Sequence, residues 1–249
     1  MKNRSKFIKF FCFSICLFFS CGLDVIIYIE PPEVYNYRPE LYGEIFDIDW
    51  ENRYFEFLTN ERGNADISEF IGTSIYYKIY NSYSTMDSEK NKLKVLSNDD
   101  KTSSRAPTQL IEGYNYCLLN NRIPLVQSRK KDQKVLIRLT DYYVENYQEA
   151  LLKGEEAQAA RIEIDGNFYS LPVRVDGKST FNFGRDGEND LVPTKDDIDV
   201  KYDSTTTEEG IWYVCMFAVG VGIDETFNDI YSNILYLGTV AIDANSYDN

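Results

Sequence analysis

Thirteen consecutive residues in the C-terminal part of the chain, IWYVCMFAVGVGI (Ile211–Ile223), carry no charge. A run of that length is too short to cross a bilayer, which takes ~20 residues, and Gly220 and Gly222 interrupt it. It reads instead as a central β-strand buried on both faces, with a bulge or a close backbone approach at the glycines. A second apolar run, IYSNILYLGTVAI (residues 230–242), follows almost at once. Other stretches alternate as strands do. In IFDIDW (45–50), Ile45, Asp47 and Asp49 alternate with Phe46, Ile48 and Trp50, and RYFEFL (53–58) continues that strand or pairs with it. In GTSIYYKIYNS (72–82), Ile75, Tyr77 and Ile79 point one way, as core; Tyr76, Lys78 and Tyr80 point the other, as a wetter face. Shorter strand signals lie at 24–30, ended by Pro31 and Pro32, and at 114–119 and 134–139. The expectation is a mainly β fold.

Two helices interrupt this pattern. In STMDSEKNKLKVL (84–96) the acids come early and the lysines late, as a helix dipole favours. In 141–153, Tyr143, Tyr147, Ala150 and Leu151 form an apolar stripe that Gly154 ends. Residues 160–183 read as a three-stranded meander. A type I′ turn at Asp165-Gly166 puts Ile164 opposite Asn167 and Ile162 opposite Tyr169. Tyr169, Leu171, Val173 and Val175 continue that apolar face, and a three-residue loop with Gly177 in the left-handed region returns Phe181 and Phe183 to it. Residues 186–209 are acidic and loop-rich.

The N-terminus has the parts of an export signal. Lys2, Arg4, Lys6 and Lys9 precede an apolar stretch at 10–19, and Ser20-Cys21-Gly22 closes it. This small-Cys-Gly junction resembles the lipobox of bacterial lipoproteins, although Phe18 and Phe19 stand where that pattern prefers Leu and then Ala or Ser. The resemblance implies that residues 1–20 are removed and that Cys21 is acylated, anchoring the protein to the cell envelope by lipid; it does not say on which membrane or face. Without the leader, 22 basic residues oppose 40 acidic ones, a net charge of −18. That argues against nucleic acid as a partner and against electrostatic docking on an anionic leaflet.

In order along the chain, PPEV (31–34), a strand containing Trp50, GTSIYYKIY (72–80), WYVCMFAVGV (212–221) and IYSNILYLG (230–238) resemble strands A, B, C, F and G of a fibronectin type III sandwich. The resemblance implies an antiparallel β-sandwich formed by 21–85 plus 208–249, with 86–207 as a large inserted β-meander and helix segment; two tandem β domains are the alternative. With its Cys-Gly start and IEPPEVYNY, the chain also looks like treponeme-type spirochaete lipoproteins, a group that brings no activity to carry over.

The chain has no histidine, which removes Ser-His-Asp and Cys-His catalysis and His-ligated zinc. No phosphate-cradling glycine loop is present, and no cofactor is implied. A carboxylate pair acting on glycans stays formally open, but with 40 acids its presence is uninformative. Cys117 and Cys215 sit in apolar runs, where an exported location permits a disulfide between them. Asp186, Glu188 and Asp190 have the 1-3-5 spacing of a calcium loop, yet Leu191 stands where glycine is needed and the twelfth position lacks glutamate, so a solvated loop is expected. Tyr76, Lys78 and Tyr80 are either a ligand face or a face covered by the inserted segment; cover is expected, because exposed aromatic patches are uncommon. The function these observations favour is a non-catalytic binding module for a protein or glycan, with a periplasmic structural or assembly role as the alternative.

Overall fold

The structure, a computed structural model, describes residues 27–36, 54–100, 102–140, 159–177, 179–183 and 192–244. The leader, Cys21, the 45–50 strand with Trp50, the 141–153 helix, and Asp186, Glu188 and Asp190 lie outside the described residues.

Two sheets form a β-sandwich. The first has the order β1 (Glu33–Val34), β2 (Tyr54–Leu58), β6 (Lys134–Arg138), β7 (Arg161–Ile164), β8 (Asn167–Ser170), with every neighbouring pair antiparallel. The second runs β11 (Asp229–Asp243), β10 (Ile211–Ile223), β3 (Phe70–Tyr80), β4 (Cys117–Leu118), and β5 (Val126–Gln127) and β9 (Val200–Lys201) also pair with β3. Alternation sets what faces inward. Phe55, Phe57, Val135, Ile137, Ile162 and Ile164 of the first sheet meet Ile75, Tyr77, Ile79, Val214, Met216 and Val240 of the second. Each such side chain, fully buried, contributes about 1.5–3 kcal/mol. Three strands of the first sheet come from the 86–207 segment, so both parts of the chain share this core.

The reverse face of the second sheet is also covered. Helix α1 (Tyr83–Asp99), capped by the Ser82 hydroxyl accepting from the Thr85 N–H at 3.4 Å, lays Met86 and Leu93 on it. Helix α2 (Arg105–Thr108) and the π-type turn Gln109–Gly113 add Ala106 and Leu110. Beneath them lie Tyr76, Tyr80, Tyr213, Cys215, Phe217 and Val219. β10 is therefore buried on both faces and paired on both edges, as its uncharged sequence requires.

Both β10 glycines mark close approaches. The ladder shifts register between Val219 and Val221 against β11 and between Val221 and Gly222 against β3. A Cβ at Gly220 would stand 2.9 Å from Ile29 Cγ2, and one at Gly222 2.7 Å from both Ile29 Cδ1 and the Glu69 carbonyl. The segment there, residues 27–32, is not the expected strand; it crosses the sheet end as irregular chain. The Asn64 side chain holds it, accepting from Glu30 N at 2.8 Å and donating to Glu30 O at 3.0 Å, while Asn60 Nδ2 donates to Pro31 O at 3.1 Å.

The meander forms only in part. Asp165 and Gly166 both have positive φ and Ile164 faces Asn167, as the turn requires. Ile162, however, pairs with Ser170 while Glu163 pairs with Phe168, which leaves Tyr169 as an extra, bulged residue. A one-residue shift moves every later side chain to the other face. Tyr169 and Leu171 are consequently exposed, Arg174 is buried, and among the described residues no regular third strand follows. Phe181 and Phe183 still reach the core.

Candidate functional site

Tyr76, Lys78 and Tyr80 are not a ligand face. All three are buried under α1 and the π-type turn. Lys78 Nζ donates to the Tyr114 carbonyl and lies 5.9 Å from the ring centres of Tyr80 and Tyr116; burial lowers its pKa. The Tyr80 hydroxyl donates to Glu89 Oε2 at 2.8 Å and lies 3.0 Å from the Tyr116 hydroxyl. The stripe is an internal polar seam between sheet and helical cover.

The two cysteines are free, and the sheet explains why they cannot join. Cys117 pairs with Tyr77 and packs on the sandwich core, whereas Cys215 pairs with Lys78 and points into the layer under the helices. Burial pushes each thiol up to about 11, so both stay protonated and unreactive at neutral pH.

The bulge at Tyr169 delivers Arg174 to a buried ion cluster that the sequence did not disclose. Arg174 Nε donates to Asp199 Oδ2 at 2.9 Å, and Nη2 donates to Asp199 Oδ1 at 2.6 Å and Asp197 Oδ2 at 2.7 Å. The Tyr77 hydroxyl donates to Asp199 Oδ2 at 2.6 Å and accepts from Val175 N at 2.8 Å. Burial opposes ionisation of Asp197, but the bonds from Arg174 and Thr194 outweigh it and hold the carboxyl below the usual range. The cluster ties β9 and the 174–176 loop to β3. It is internally bonded and encloses only about 80 Å³, which suits structure rather than ligand binding.

A different arrangement occupies the end of the sandwich where β10 begins. A polar cleft of about 260 Å³ lies between Asn81, residues 202–210 and Trp212. The Asn81 amide clamps the loop at Asp203, accepting from its N–H at 2.7 Å and donating to its carbonyl at 2.9 Å. Asp203 also accepts from the Thr85 hydroxyl at 2.9 Å, and Glu208 accepts from Tyr83 N at 3.1 Å. Both acids thus sit at the N-terminus of α1, where the helix dipole favours them. Bonds from Thr205, with help from Thr85, hold the Asp203 carboxyl below its usual range. Tyr202 stands 48 % exposed beside this loop, and Glu209 is exposed. The Trp212 side chain, 7 % exposed, packs into the core between the sheets, where its indole N–H is buried without a hydrogen-bond partner. An unmet buried donor is uncommon in folded proteins.

This cleft and the N-terminal segment occupy opposite poles. Trp212 and Gly222, where Ile29 seats, are ten residues apart on one strand, about 33 Å at 3.3 Å per residue. Among the described residues no group of three or more acids or cysteines could hold a metal ion, and no helix is long and apolar enough to cross a membrane. In comparisons with protein-family models, curated proteins and solved structures, nothing matches this chain.

Proposed function

We propose that the chain is a lipid-anchored module of the bacterial cell envelope that binds a ligand without converting it. It is held at Cys21 and presents the pole around Trp212 away from the bilayer. The separation of the two poles carries this reading. Ile29 is docked at the Gly220–Gly222 end of β10, and Cys21 lies six residues before Ile27, a reach of at most about 20 Å. The cleft opens at the far end of the same strand. Two or three acyl chains make such attachment stable, and the acidic surface keeps the domain off anionic lipid. The strand order supports a fibronectin type III-like sandwich, with β1-β2-β6 in the places of A-B-E and β3-β10-β11 in those of C-F-G.

The test is fractionation and protease shaving of cells carrying the natural chain or Cys21→Ala. The natural chain is expected in the membrane fraction and the variant in the soluble one. Cys21→Ala protein that stays fully membrane-bound would refute the anchor. Digestion on intact cells places the pole outside the cell; protection until the outer membrane is permeabilised makes its ligand periplasmic and favours an assembly role.

A further inference from the structure

We propose that the pole holding residues 27–32 makes a membrane contact of its own, in which Phe227 enters the headgroup layer of a zwitterionic phospholipid surface and Arg129, Lys130 and Lys131 meet its phosphates. The proposal rests on the anchored reading for its setting and adds how the domain sits on the bilayer. Phe227 is the most exposed large apolar side chain among the described residues, 89 % exposed in the loop that joins β10 to β11. Its φ is +65°, in the left-handed region that a bulky residue rarely adopts. The loop is braced to keep it there. The Asp224 carboxylate accepts from Thr226 N at 2.8 Å, the Thr226 hydroxyl at 2.7 Å and Asn228 N at 2.8 Å, and Phe227 N donates to the Asp224 carbonyl at 3.0 Å. Backbone strain held by its surroundings is characteristic of functional loops, and here it displays an apolar ring to water.

Topology fixes where this loop lies. The hairpin runs on past Gly222, where Ile29 docks, and Ile223 N donates to the Glu69 carbonyl at 2.9 Å. Cys21 lies six residues before Ile27, so in the anchored protein the bilayer is the surface next to the loop. Residues 128–132 reach the same end: Ser128 N donates to the Ile71 carbonyl at 2.9 Å, beside the Phe70–Gly222 pair, and Arg129 N donates to Glu61 Oε2 at 2.9 Å. Arg129, Lys130 and Lys131 are exposed, and among the described residues their side chains have no ion-pair partner. Lysines and arginines around an inserted aromatic ring are the usual make-up of an interfacial contact. The pole is not simply basic. Asp132 is paired with Arg62, Glu61 is buried and Asp224 is engaged within its loop, but Asp66, Glu225 and Asp229 are exposed. Both signs on one surface fit a headgroup that carries both, a phosphate for the basic triplet and an ammonium for the acids. An anionic leaflet would attract the triplet but repel these acids and the domain behind them.

The experiment tethers the chain from Gly22 onward, with a polyhistidine tag ahead of it, to phosphatidylcholine vesicles through a nickel-chelating lipid. The chain has no histidine of its own, so attachment is at the tag and needs no acylation. A polarity-sensitive dye is placed at Glu225→Cys, beside Phe227, or at Tyr202→Cys, at the opposite pole; the unsubstituted chain, labelled under native conditions, sets the background from Cys117 and Cys215. Burying one phenylalanine ring favours the docked orientation about tenfold, so on vesicles the dye at 225 is expected to shift to the blue and to be quenched about tenfold less by aqueous iodide. The dye at 202 is expected to behave as in free solution. Phe227→Ser, a change at an exposed side chain, and Lys130→Glu with Lys131→Glu are each expected to restore quenching; Leu171→Ser, past the end of β8 in the other sheet, is expected not to. Quenching at 225 equal to that at 202, or protection that survives Phe227→Ser or the charge reversals, overturns the proposal. Protection that grows with protein density at fixed lipid means contact between copies and overturns it too. Vesicles containing phosphatidylglycerol are expected to protect less, and stronger protection on them overturns the choice of headgroup. The tag replaces the acyl chains, so failure here and failure of the anchor in cell fractionation are separate results.

Discussion

Replacing Arg174 with methionine should unfold this protein far more readily than its loop position suggests. In the native chain the Arg174 and Asp199 side chains are 5 % and 2 % exposed and share bonds of 2.9 and 2.6 Å. Methionine fills much of the volume, so the cavity term is small, but it strands the Asp199 carboxylate with only the Tyr77 hydroxyl to meet it. Removing one partner of a buried pair costs about 3–5 kcal/mol. For a chain of this size 1 kcal/mol moves Tm by about 2–4 °C, so the loss should be roughly 6–20 °C. Urea unfolding followed by circular dichroism measures the free energy, and calorimetry the midpoint. Asp199→Asn and the double variant complete a cycle in which the double loss should fall short of the summed single losses by at least about 2 kcal/mol. A loss below about 1 kcal/mol for Arg174→Met is what an exposed ion pair gives. That result, or additivity within about 0.5 kcal/mol, would refute the reasoning.

Three further outcomes are expected. Leu171→Ser should change stability by less than about 0.5 kcal/mol, because the bulge exposes Leu171; a loss near 2 kcal/mol would mean the unbulged register, with Leu171 inside. Protein produced from Gly22 onward, purified without reductant and unfolded in guanidinium, should titrate two thiols, Cys117 and Cys215, and finding none would mean they are joined. Asp203→Asn should flatten the pH dependence of Tm at low pH. The native carboxyl has a folded pKa below its unfolded value near 3.9, so its contribution is complete above that value and is lost as pH falls through the folded one. Identical Tm profiles for the two proteins between pH 2 and 5, about the range concerned, would contradict this.

What could be read from sequence was whatever depends on local pattern. The uncharged stretch of β10 demanded cover on both faces, and its glycines announced the approach that Ile29 makes. Ile75, Tyr77 and Ile79 showed their inward direction by alternation, and α1 showed itself by its charge order. The Asp165-Gly166 turn was legible, but the bulge one pair later was not, since nothing in FYSLPVRV marks Tyr169 as the extra residue. From that one residue followed the wrong faces for Leu171, Val173 and Val175 and the missed role of Arg174. A buried arginine between two valines is a signal in hindsight: its charge must be met from elsewhere in the chain. The cleft was hidden for another reason. Asn81 and Trp212 lie 131 positions apart and meet only because β3 ends beside the start of β10.

The way residues 27–32 are fastened has a mechanical side. They are held by Ile29 in its glycine socket and by three side-chain hydrogen bonds from Asn60 and Asn64, not by a strand ladder. Tension arriving from upstream meets these contacts one after another, as in unzipping, before it reaches the β1–β2 pairing at Glu33 and Val34 that joins the chain to the first sheet. Peeling six residues frees about 20 Å of chain while the sandwich stays intact. The segment is built as a weak link in series with a stronger one, a short length of slack between the upstream chain and the sandwich.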